Sequence, residues 1–207
     1  MKIAGIDEAG RGPLAGPVVS AAVILPENFS NPEVTDSKKL SPTRRNTLYD
    51  LIYKQAVAIG IGIIDAVEID RINILQASLR SMAMASLNLE PAPDYLLIDG
   101  TFLIPSPTHQ EAIPKGDALS ISISAASIVA KVTRDRLMEV YDQYYPQYHF
   151  TSHKGYPTKA HREAIKKFGC CPIHRRSFKG VSEHIRPLKS RQLPLRTARA
   201  ESKTTNR

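Results

Sequence analysis

The chain has 207 residues, a formal net charge of +8, 42% hydrophobic residues and no Trp. This length is sufficient for one domain whose core needs no disulfide bonds, and no apolar run is long enough to span a membrane. The first residues lack the apolar segment of a secretory signal peptide, and adjacent Cys170 and Cys171 cannot form an ordinary long-loop disulfide. The sequence therefore predicts a cytoplasmic protein in a reducing compartment.

The positive charge is concentrated near the end of the chain. Residues 175–207 contain ten Lys or Arg and two acidic residues, whereas the two signs balance in residues 1–174. We therefore expect a globular domain over residues 1–180 and a basic, flexible tail over residues 181–207. Such a tail could bind a polyanion through counterion release, or it could be a solvated segment.

The first half of the chain predicts three strands before the first long helical region. Residues 2–7 and 17–25 are rich in Ile and Val and are separated by a turn with three glycines, and residues 57–64 repeat the strand pattern. Ser41 followed by Pro42 is typical of a helix start, so a helix is expected to run from there to about residue 55.

The second half alternates strands with helices. Residues 67–89 carry apolar side chains at helical spacing and predict one amphipathic helix, and residues 95–98 predict a short apolar strand. Further helices are expected over residues 120–141 and 159–168. This order favours an α/β fold in which helices cover a mixed sheet.

Four acidic residues lie at or near the ends of these elements. Asp7, Glu8 and Asp99 close predicted strands, and Asp117 opens a helix. Functional groups collect at the carboxyl ends of strands in open α/β sheets, so we expect the four carboxylates to converge. Because side chains alternate along a strand, we also expect the chain to leave regular strand geometry near Gly10, so that Asp7 and Glu8 reach one site.

Converging carboxylates must either share protons or bind cations. Two carboxylates about 4 Å apart repel by about 4 kcal/mol at an effective dielectric near 20. Oxygen ligands favour Mg²⁺ or Mn²⁺ over zinc, and two such ions about 4 Å apart can stabilise both the attacking and the leaving oxygen of a phosphodiester. The pattern therefore predicts a divalent-metal site with two ions in the catalytic complex.

The segment that contains the first two acids resembles the N-terminal signature of ribonuclease HII. Residues 5–19 read GIDEAGRGPLAGPVV. The resemblance continues through DSKKLS at 36–41, IDG at 98–100, KGD at 115–117, SAASIVAKVTRD at 124–135, GY at 155–156 and HRRSF at 174–178. It implies the ribonuclease H-like fold, which has a central mixed five-stranded sheet flanked by helices and a small helical C-terminal extension.

The resemblance also implies an endonuclease that cuts on the 5′ side of a ribonucleotide and leaves a 3′-hydroxyl and a 5′-phosphate. Its substrates would be RNA/DNA hybrids and duplex DNA with single embedded ribonucleotides. The family's four metal-binding, catalytic carboxylates correspond to Asp7, Glu8, Asp99 and Asp117, the same four that the strand ends select.

Recognition of the ribonucleotide is implied for a glycine turn and a tyrosine. Gly10, Arg11 and Gly12 match the turn that contacts the 2′-hydroxyl largely through its backbone, where glycine permits close approach. Tyr156 matches the tyrosine that stacks on the next sugar. The family commonly has Gly after this tyrosine, whereas this chain has Pro157, which restricts Tyr156 to extended backbone geometry.

Further substrate contacts are expected from four polar side chains. Ser127, Lys131 and Arg134 fall on one face of the helix that begins near residue 120, and Lys39 follows the motif acid Asp36. These side chains could contact phosphates, or the helix face could simply be solvated.

The expected partners are nucleic acids, with no membrane contact, and the protein is expected to be a monomer. In the tail, residues 192–195 read QLPL and resemble short peptides that dock on bacterial sliding clamps, although the usual terminal aromatic residue is missing.

Two alternatives stay open. Ribonuclease HIII shares the carboxylate scheme but typically has an N-terminal substrate-binding domain and a Lys in the glycine turn, so Arg11 and a first strand at residue 2 favour HII. A non-catalytic module could bind nucleic acid through the basic tail, but it would not need four acids.

Overall fold

The computed structural model describes residues 1–35 and 37–185. The motif residue Asp36 and most of the basic tail, including the QLPL segment, lie outside the described residues. Across the described ranges, none of the helices combines the length and the apolar character that a membrane crossing requires.

Five strands form one mixed sheet, as the fold prediction requires. They are β1 (Ile3–Ala9), β2 (Val18–Ile24), β3 (Ala58–Ile64), β4 (Tyr95–Asp99) and β5 (His109–Ile113), in the spatial order β3-β2-β1-β4-β5. β2 is antiparallel to β1 and to β3, whereas β1, β4 and β5 are parallel. The carboxyl ends of β1, β4 and β5 therefore share one edge of the sheet.

Helices cover both faces of this sheet. They are α1 (Pro42–Gln55), α2 (Ala66–Ile72), α3 (Ile74–Leu87), α4 (Ile121–Tyr144), α5 (Phe150–His153) and α6 (Lys159–Phe168). On one face, α3 packs against Ala4, Ile6 and Ala22, and on the other, α1 and α4 pack against Ala21 and Val23. The alternation of buried side chains along β1 places Asp7 on the face that α4 covers.

The prediction of a single helix over residues 67–89 is wrong, because the chain breaks at Asn73. This residue has φ 68°, and its side chain accepts hydrogen bonds from the amides of Leu75 at 3.0 Å and Gln76 at 3.1 Å. Asn tolerates positive φ better than most residues and can cap a helix, so it ends α2 and starts α3 although the apolar spacing continues across it.

The C-terminal extension consists of α5, α6 and the segment that follows them to residue 185. It packs against the glycine turn, which is the segment between β1 and β2. Its buried side chains, which include Phe150, Ile165 and Val181, form one apolar cluster with Leu14 and Ala15. The extension therefore supports the turn from beneath. The division of the chain at residue 180 stays a prediction, since the description ends at residue 185.

Candidate active site

The acidic residues lie at the shared carboxyl edge of the three parallel strands. Ile6 pairs with Ile98, so the following residue of β1, Asp7, lies next to Asp99 of β4. Asp117 lies in a 3₁₀ turn, Gly116–Ala118, shortly after β5. Asp7 and Asp117 are buried, with 4% and 7% of their surface exposed. The topology thus brings the predicted residues to one edge.

The chain leaves strand geometry at Gly10, as expected, but the strand stays regular through both acids. Pairing with β2 continues through Asp7, Glu8 and Ala9, and the positive φ of 103° comes afterwards, at Gly10. Asp99 raises the pKa of both acids of β1. The premise that Asp7 and Glu8 can share a site only if the strand is broken at the acids is therefore wrong.

Negative charge is concentrated at this edge. Burial raises the pKa of Asp7 well above its ordinary value, and repulsion from Glu8 and Asp99 raises it further, while a hydrogen bond from Ser127 opposes the shift. Burial also raises the pKa of Glu8, with Arg11 lowering it and Asp99 raising it. The fold holds these carboxyl groups together at an electrostatic cost.

Each carboxylate also has a local partner. Asp7 Oδ1 accepts the amide hydrogen of Glu8 at 2.7 Å, and Asp99 Oδ1 accepts that of Gly116 at 2.7 Å. Arg11 Nη1 lies 3.4 Å from Glu8 Oε1. In residues 1–35 and 37–185, no three His, Cys, Asp or Glu side chains are already arranged as a metal site.

The donor set nevertheless fits a hard divalent cation. All four side chains offer carboxylate oxygens, which Mg²⁺ and Mn²⁺ prefer. A cation would relieve the repulsion that raises the pKa of Asp7 and Glu8. The observation that supports a metal is therefore the concentration of carboxylates at one edge, with Asp7 and Asp117 buried and Asp7, Glu8 and Asp99 repelling one another.

Two buried arginines hold the glycine turn in place. Arg175 donates to the carbonyls of Gly10 at 2.6 Å, Arg11 at 3.1 Å, Pro13 at 2.9 Å and Gly16 at 3.0 Å. Its guanidinium spans most of the turn. This role of Arg175 could not be predicted from the sequence, although Arg175 lies in the HRRSF motif. Nothing in the neighbouring residues indicates that it contacts residues more than 150 positions away.

Arg134 has a different environment from the expected polar helix face. It is fully buried, and it donates to the carbonyls of Pro17 at 2.9 Å, Ala15 at 3.1 Å and Lys154 at 3.0 Å. The glycine turn and the C-terminal extension cover the face of α4 that helical spacing made look solvated. We therefore assign Arg134 a role in positioning the turn and no longer a direct phosphate contact.

Tyr156 lies beside the glycine turn. Its side chain is 41% exposed, and a Cβ added to Gly12 would lie 3.6 Å from its Cε1 atom. Lys131 Nζ is 5.9 Å from the ring centroid. Gly12 and Tyr156, which were both expected to contact the ribonucleotide, thus lie next to each other although Pro157 follows the tyrosine.

The other three side chains that were expected to contact the substrate, Ser127, Lys131 and Lys39, differ in burial and in their partners. Ser127 is buried, bonds to the Ser37 hydroxyl at 2.9 Å and supports Asp7. Lys131 pairs with Asp135 at 2.7 Å, and Lys39 is exposed. The neighbour of Lys39 is closer to the acids: Lys38 Nζ lies 3.8 Å from Asp117 Oδ2.

Comparison with known proteins identifies relatives over most of the chain. The family model for ribonuclease HII matches residues 4–181. A ribonuclease HII from Syntrophus aciditrophicus is 59% identical over 177 residues, which cover 86% of this chain and 84% of that protein.

Two solved structures share the fold. The ribonuclease H2 from Pyrococcus horikoshii has a TM-score of 0.74 and 29% identity, covering 88% of this chain and 96% of that one. The ribonuclease HII of Archaeoglobus fulgidus, solved in a complex with PCNA, has a TM-score of 0.73 and 26% identity, covering 86% and 96%.

These relatives decide between the alternatives that the sequence left open. The match is to ribonuclease HII over most of the chain, which overturns both the ribonuclease HIII reading and the non-catalytic module. Ribonucleases HII depend on divalent metal ions. The chain belongs to the ribonuclease HII family, whose members are hydrolases that act on the RNA of RNA–DNA hybrids.

Proposed function

We propose that this ribonuclease cuts the phosphodiester on the 5′ side of a ribonucleotide, both in RNA/DNA hybrids and at single ribonucleotides embedded in duplex DNA. The observation that carries this proposal is the adjacency of two features. The acidic edge, formed by Asp7, Glu8, Asp99 and Asp117, lies directly beside the glycine turn and Tyr156.

We expect the four carboxylates to hold Mg²⁺ or Mn²⁺, with two ions in the catalytic complex. A divalent cation there would supply Lewis-acid activation of the phosphodiester and of the attacking water. The protein contributes the oxygen donors and fixes their positions, since Asp7 is buried between β1 and α4 and Asp99 is anchored by the Gly116 amide.

Selectivity for RNA would come from the backbone of the glycine turn. The carbonyls of Gly10 and Arg11 already accept hydrogen bonds from Arg175, so we expect the turn to offer amide hydrogens to the 2′-hydroxyl. Tyr156, which lies beside Gly12, would stack on the next sugar. Such recognition reads the sugar and ignores the base.

The basic tail, proposed to begin at residue 181, would add contacts to the polyanionic substrate. A sliding-clamp contact through residues 192–195 is a second proposal, since a relative of the family was solved with PCNA. We also propose that the protein acts as a cytoplasmic monomer, in keeping with its free Cys170 and Cys171.

The test is cleavage of an end-labelled DNA duplex that contains one internal ribonucleotide. Wild type in Mg²⁺ should produce a single cut on the 5′ side, and both EDTA and Asp7→Asn should lower the rate by at least about 100-fold, because Asp7 supplies a central oxygen donor. Asp50→Asn is the matched control, since Asp50 is an exposed carboxylate on α1.

An all-DNA duplex should not be cut. Cleavage that persists in EDTA, or equal activity of Asp7→Asn and Asp50→Asn, would contradict the metal proposal. A cut on the 3′ side, or cleavage of hybrids but not of single embedded ribonucleotides, would contradict the proposed substrate recognition.

A further inference from the structure

A series of hydrogen-bonded, buried side chains lies next to Tyr156 and the glycine turn. His161, in the first turn of α6, is fully buried, and His174 is 1% exposed. Their Nε2 atoms are 3.1 Å apart, His161 Nδ1 lies 2.9 Å from the Tyr156 carbonyl oxygen, and Cys171 Sγ lies 3.1 Å from His174 Nδ1. The reaction proposed above uses none of these three side chains directly.

The groups at the two ends of this series, the Tyr156 carbonyl and the Cys171 amide, fix the direction of every hydrogen bond in it. The Tyr156 carbonyl can only accept, so His161 Nδ1 must carry the hydrogen, and a neutral His161 then accepts at Nε2. His174 must therefore donate from Nε2, and its Nδ1 accepts from the Cys171 amide at 3.0 Å and from the thiol. The donors run in one direction, from Cys171 through His174 and His161 to Tyr156.

The neutral state that this order requires agrees with the burial of the groups. Burial lowers the pKa of His161 and of His174 to about 4, and it raises the pKa of the Cys171 thiol to about 11. Both rings are therefore neutral, and the thiol keeps its hydrogen, near pH 7.

The same series of hydrogen bonds joins the two parts of the proposed ribonucleotide site, the glycine turn and Tyr156. The backbone of His174 pairs with Ala15 of the glycine turn, where the Gly16 amide also donates to Ile173 at 2.8 Å. The side chains continue from His174 to Tyr156, whose carbonyl accepts a second bond from Thr158 at 2.8 Å. The relay thus connects the glycine turn to Tyr156.

We propose that His161 and His174 are positioning residues: with Cys171 they form a one-way hydrogen-bond relay that fixes Tyr156 relative to the glycine turn. This inference rests on the proposed function, because it assumes that Tyr156 contacts the substrate. The relay would act on substrate binding and would leave the acidic edge unchanged.

Asn and Gln substitutions separate the two ring nitrogens, because the Asn amide reaches about as far as Nδ1 and the Gln amide about as far as Nε2. His161→Asn can keep the bond to Tyr156 but loses the bond to His174, and His161→Gln does the opposite, so both variants break the relay. At position 174, His174→Gln can keep the bond to His161 and His174→Asn cannot.

The readout is KM and kcat for the duplex with one ribonucleotide. We expect His161→Gln, His161→Asn and His174→Asn each to raise KM by about five-fold, the equivalent of one hydrogen bond, with kcat within about two-fold. His174→Gln should stay within about two-fold of wild type, as should the exposed control His184→Asn. Thermal melting verifies that each variant folds.

A merely structural role would not produce this pattern. If the rings only fill space, the larger Gln should be tolerated at position 161 as well as at position 174, and if His174 only caps the Cys171 amide, Asn should be better than Gln at position 174. Either of these results would overturn the relay.

A second measurement does not depend on the variants or on activity. Nitrogen-15 NMR of the histidine rings in the wild-type protein at pH 7 should show His161 with hydrogen on Nδ1 and His174 with hydrogen on Nε2. The opposite tautomers, or a charged ring, would overturn the relay even if every variant failed to fold.

Tyr156→Ala, measured alongside, distinguishes the two proposals. If Tyr156→Ala raises KM but the tautomers or the order of variants are wrong, only the relay fails. If Tyr156→Ala leaves KM unchanged, the proposed role of Tyr156 fails, and the positioning role of the histidines fails with it.

Discussion

At the scale of single residues, the two glycines of the turn after β1 differ in how closely the fold constrains them. Gly10 has φ 103°, and a Cβ there would lie 2.2 Å from Arg134 Nε and 2.8 Å from the Pro17 carbonyl oxygen. Gly12 has ordinary space around it, since its added Cβ would meet Tyr156 at 3.6 Å. Gly10 is thus required by the fold, whereas the fold leaves room for a side chain at position 12.

Alanine substitutions should show this difference. Gly10→Ala should lower the free energy of unfolding by about 2 kcal/mol or more, because it combines positive φ with a backbone clash. Gly12→Ala should change stability by less than about 0.5 kcal/mol and still raise KM for the ribonucleotide substrate, because its methyl group would lie beside Tyr156 on the proposed contact surface. Urea denaturation and steady-state kinetics measure the two effects, and a Gly12→Ala variant with unchanged KM would remove Gly12 from the proposed site.

At the scale of elements, α2 helps to hold the arginine segment that supports the turn. Its Asp70 side chain accepts from the Arg176 amide at 2.7 Å and from the Ser177 amide at 2.9 Å. These residues directly follow Arg175, which holds the glycine turn. The short helix α2, which ends at the break at Asn73, therefore contributes to the geometry of the site from a distance.

Substitutions at Asn73 test how this break is stabilised. Its φ of 68° and ψ of 165° are costly for a residue with a side chain, and its side chain caps α3. Asn73→Ala keeps the strain and loses the cap, so it should cost about 1 kcal/mol, whereas Asn73→Gly relieves the strain and should not destabilise the protein. Thermal unfolding measures both, and a Gly variant as unstable as the Ala variant would contradict this account.

At the scale of the whole molecule, the buried histidines link the fold of the C-terminal extension to pH. His161 and His174 have folded pKa values of about 4, below the ordinary 6.5. Between these values the unfolded state binds more protons, so stability falls as pH decreases from about 6.5 to about 4. Asp7 and Glu8 act in the opposite sense, since their pKa values are raised in the folded state.

The contribution of the two histidines to the pH dependence of stability can be isolated by comparing wild type with the double variant His161→Asn/His174→Gln. Wild type should lose about 6 kcal/mol more than the double variant between pH 7 and pH 4, because the unfolded state protonates both rings in this range, at about 3 kcal/mol for each. Chemical denaturation at a series of pH values gives this difference. Parallel stability curves for the two proteins would show that the rings do not titrate in this way.

The contribution of the tail to substrate binding can be tested by truncating the chain after residue 185. The removed segment carries seven Lys or Arg and one Glu. If it contacts three phosphates, truncation should weaken duplex binding at low salt and reduce the slope of log K against log salt by about 3, with kcat unchanged. Equal slopes for the full chain and the truncated variant would leave the tail without a role in substrate binding.

The sequence alone was sufficient to predict the acidic edge and most of the sheet. Asp7, Glu8 and Asp99 follow apolar strand segments, and parallel strands bring their carboxyl ends to one edge, so local pattern and topology agree. β5 was not visible in the apolar pattern, because His109–Ile113 is a polar edge strand without a buried face, and its presence followed from the family resemblance.

The tertiary structure decided the roles of the side chains around that edge. Helical spacing placed Arg134 on a polar face, but the glycine turn buries it, and no local signal connects Arg175 with Gly10, 165 positions earlier. The order of donors in the histidine relay likewise depends on contacts between α6, the segment near His174 and Tyr156. Periodicity describes one element at a time, whereas buried polar groups take their roles from whichever distant segment satisfies their hydrogen bonds.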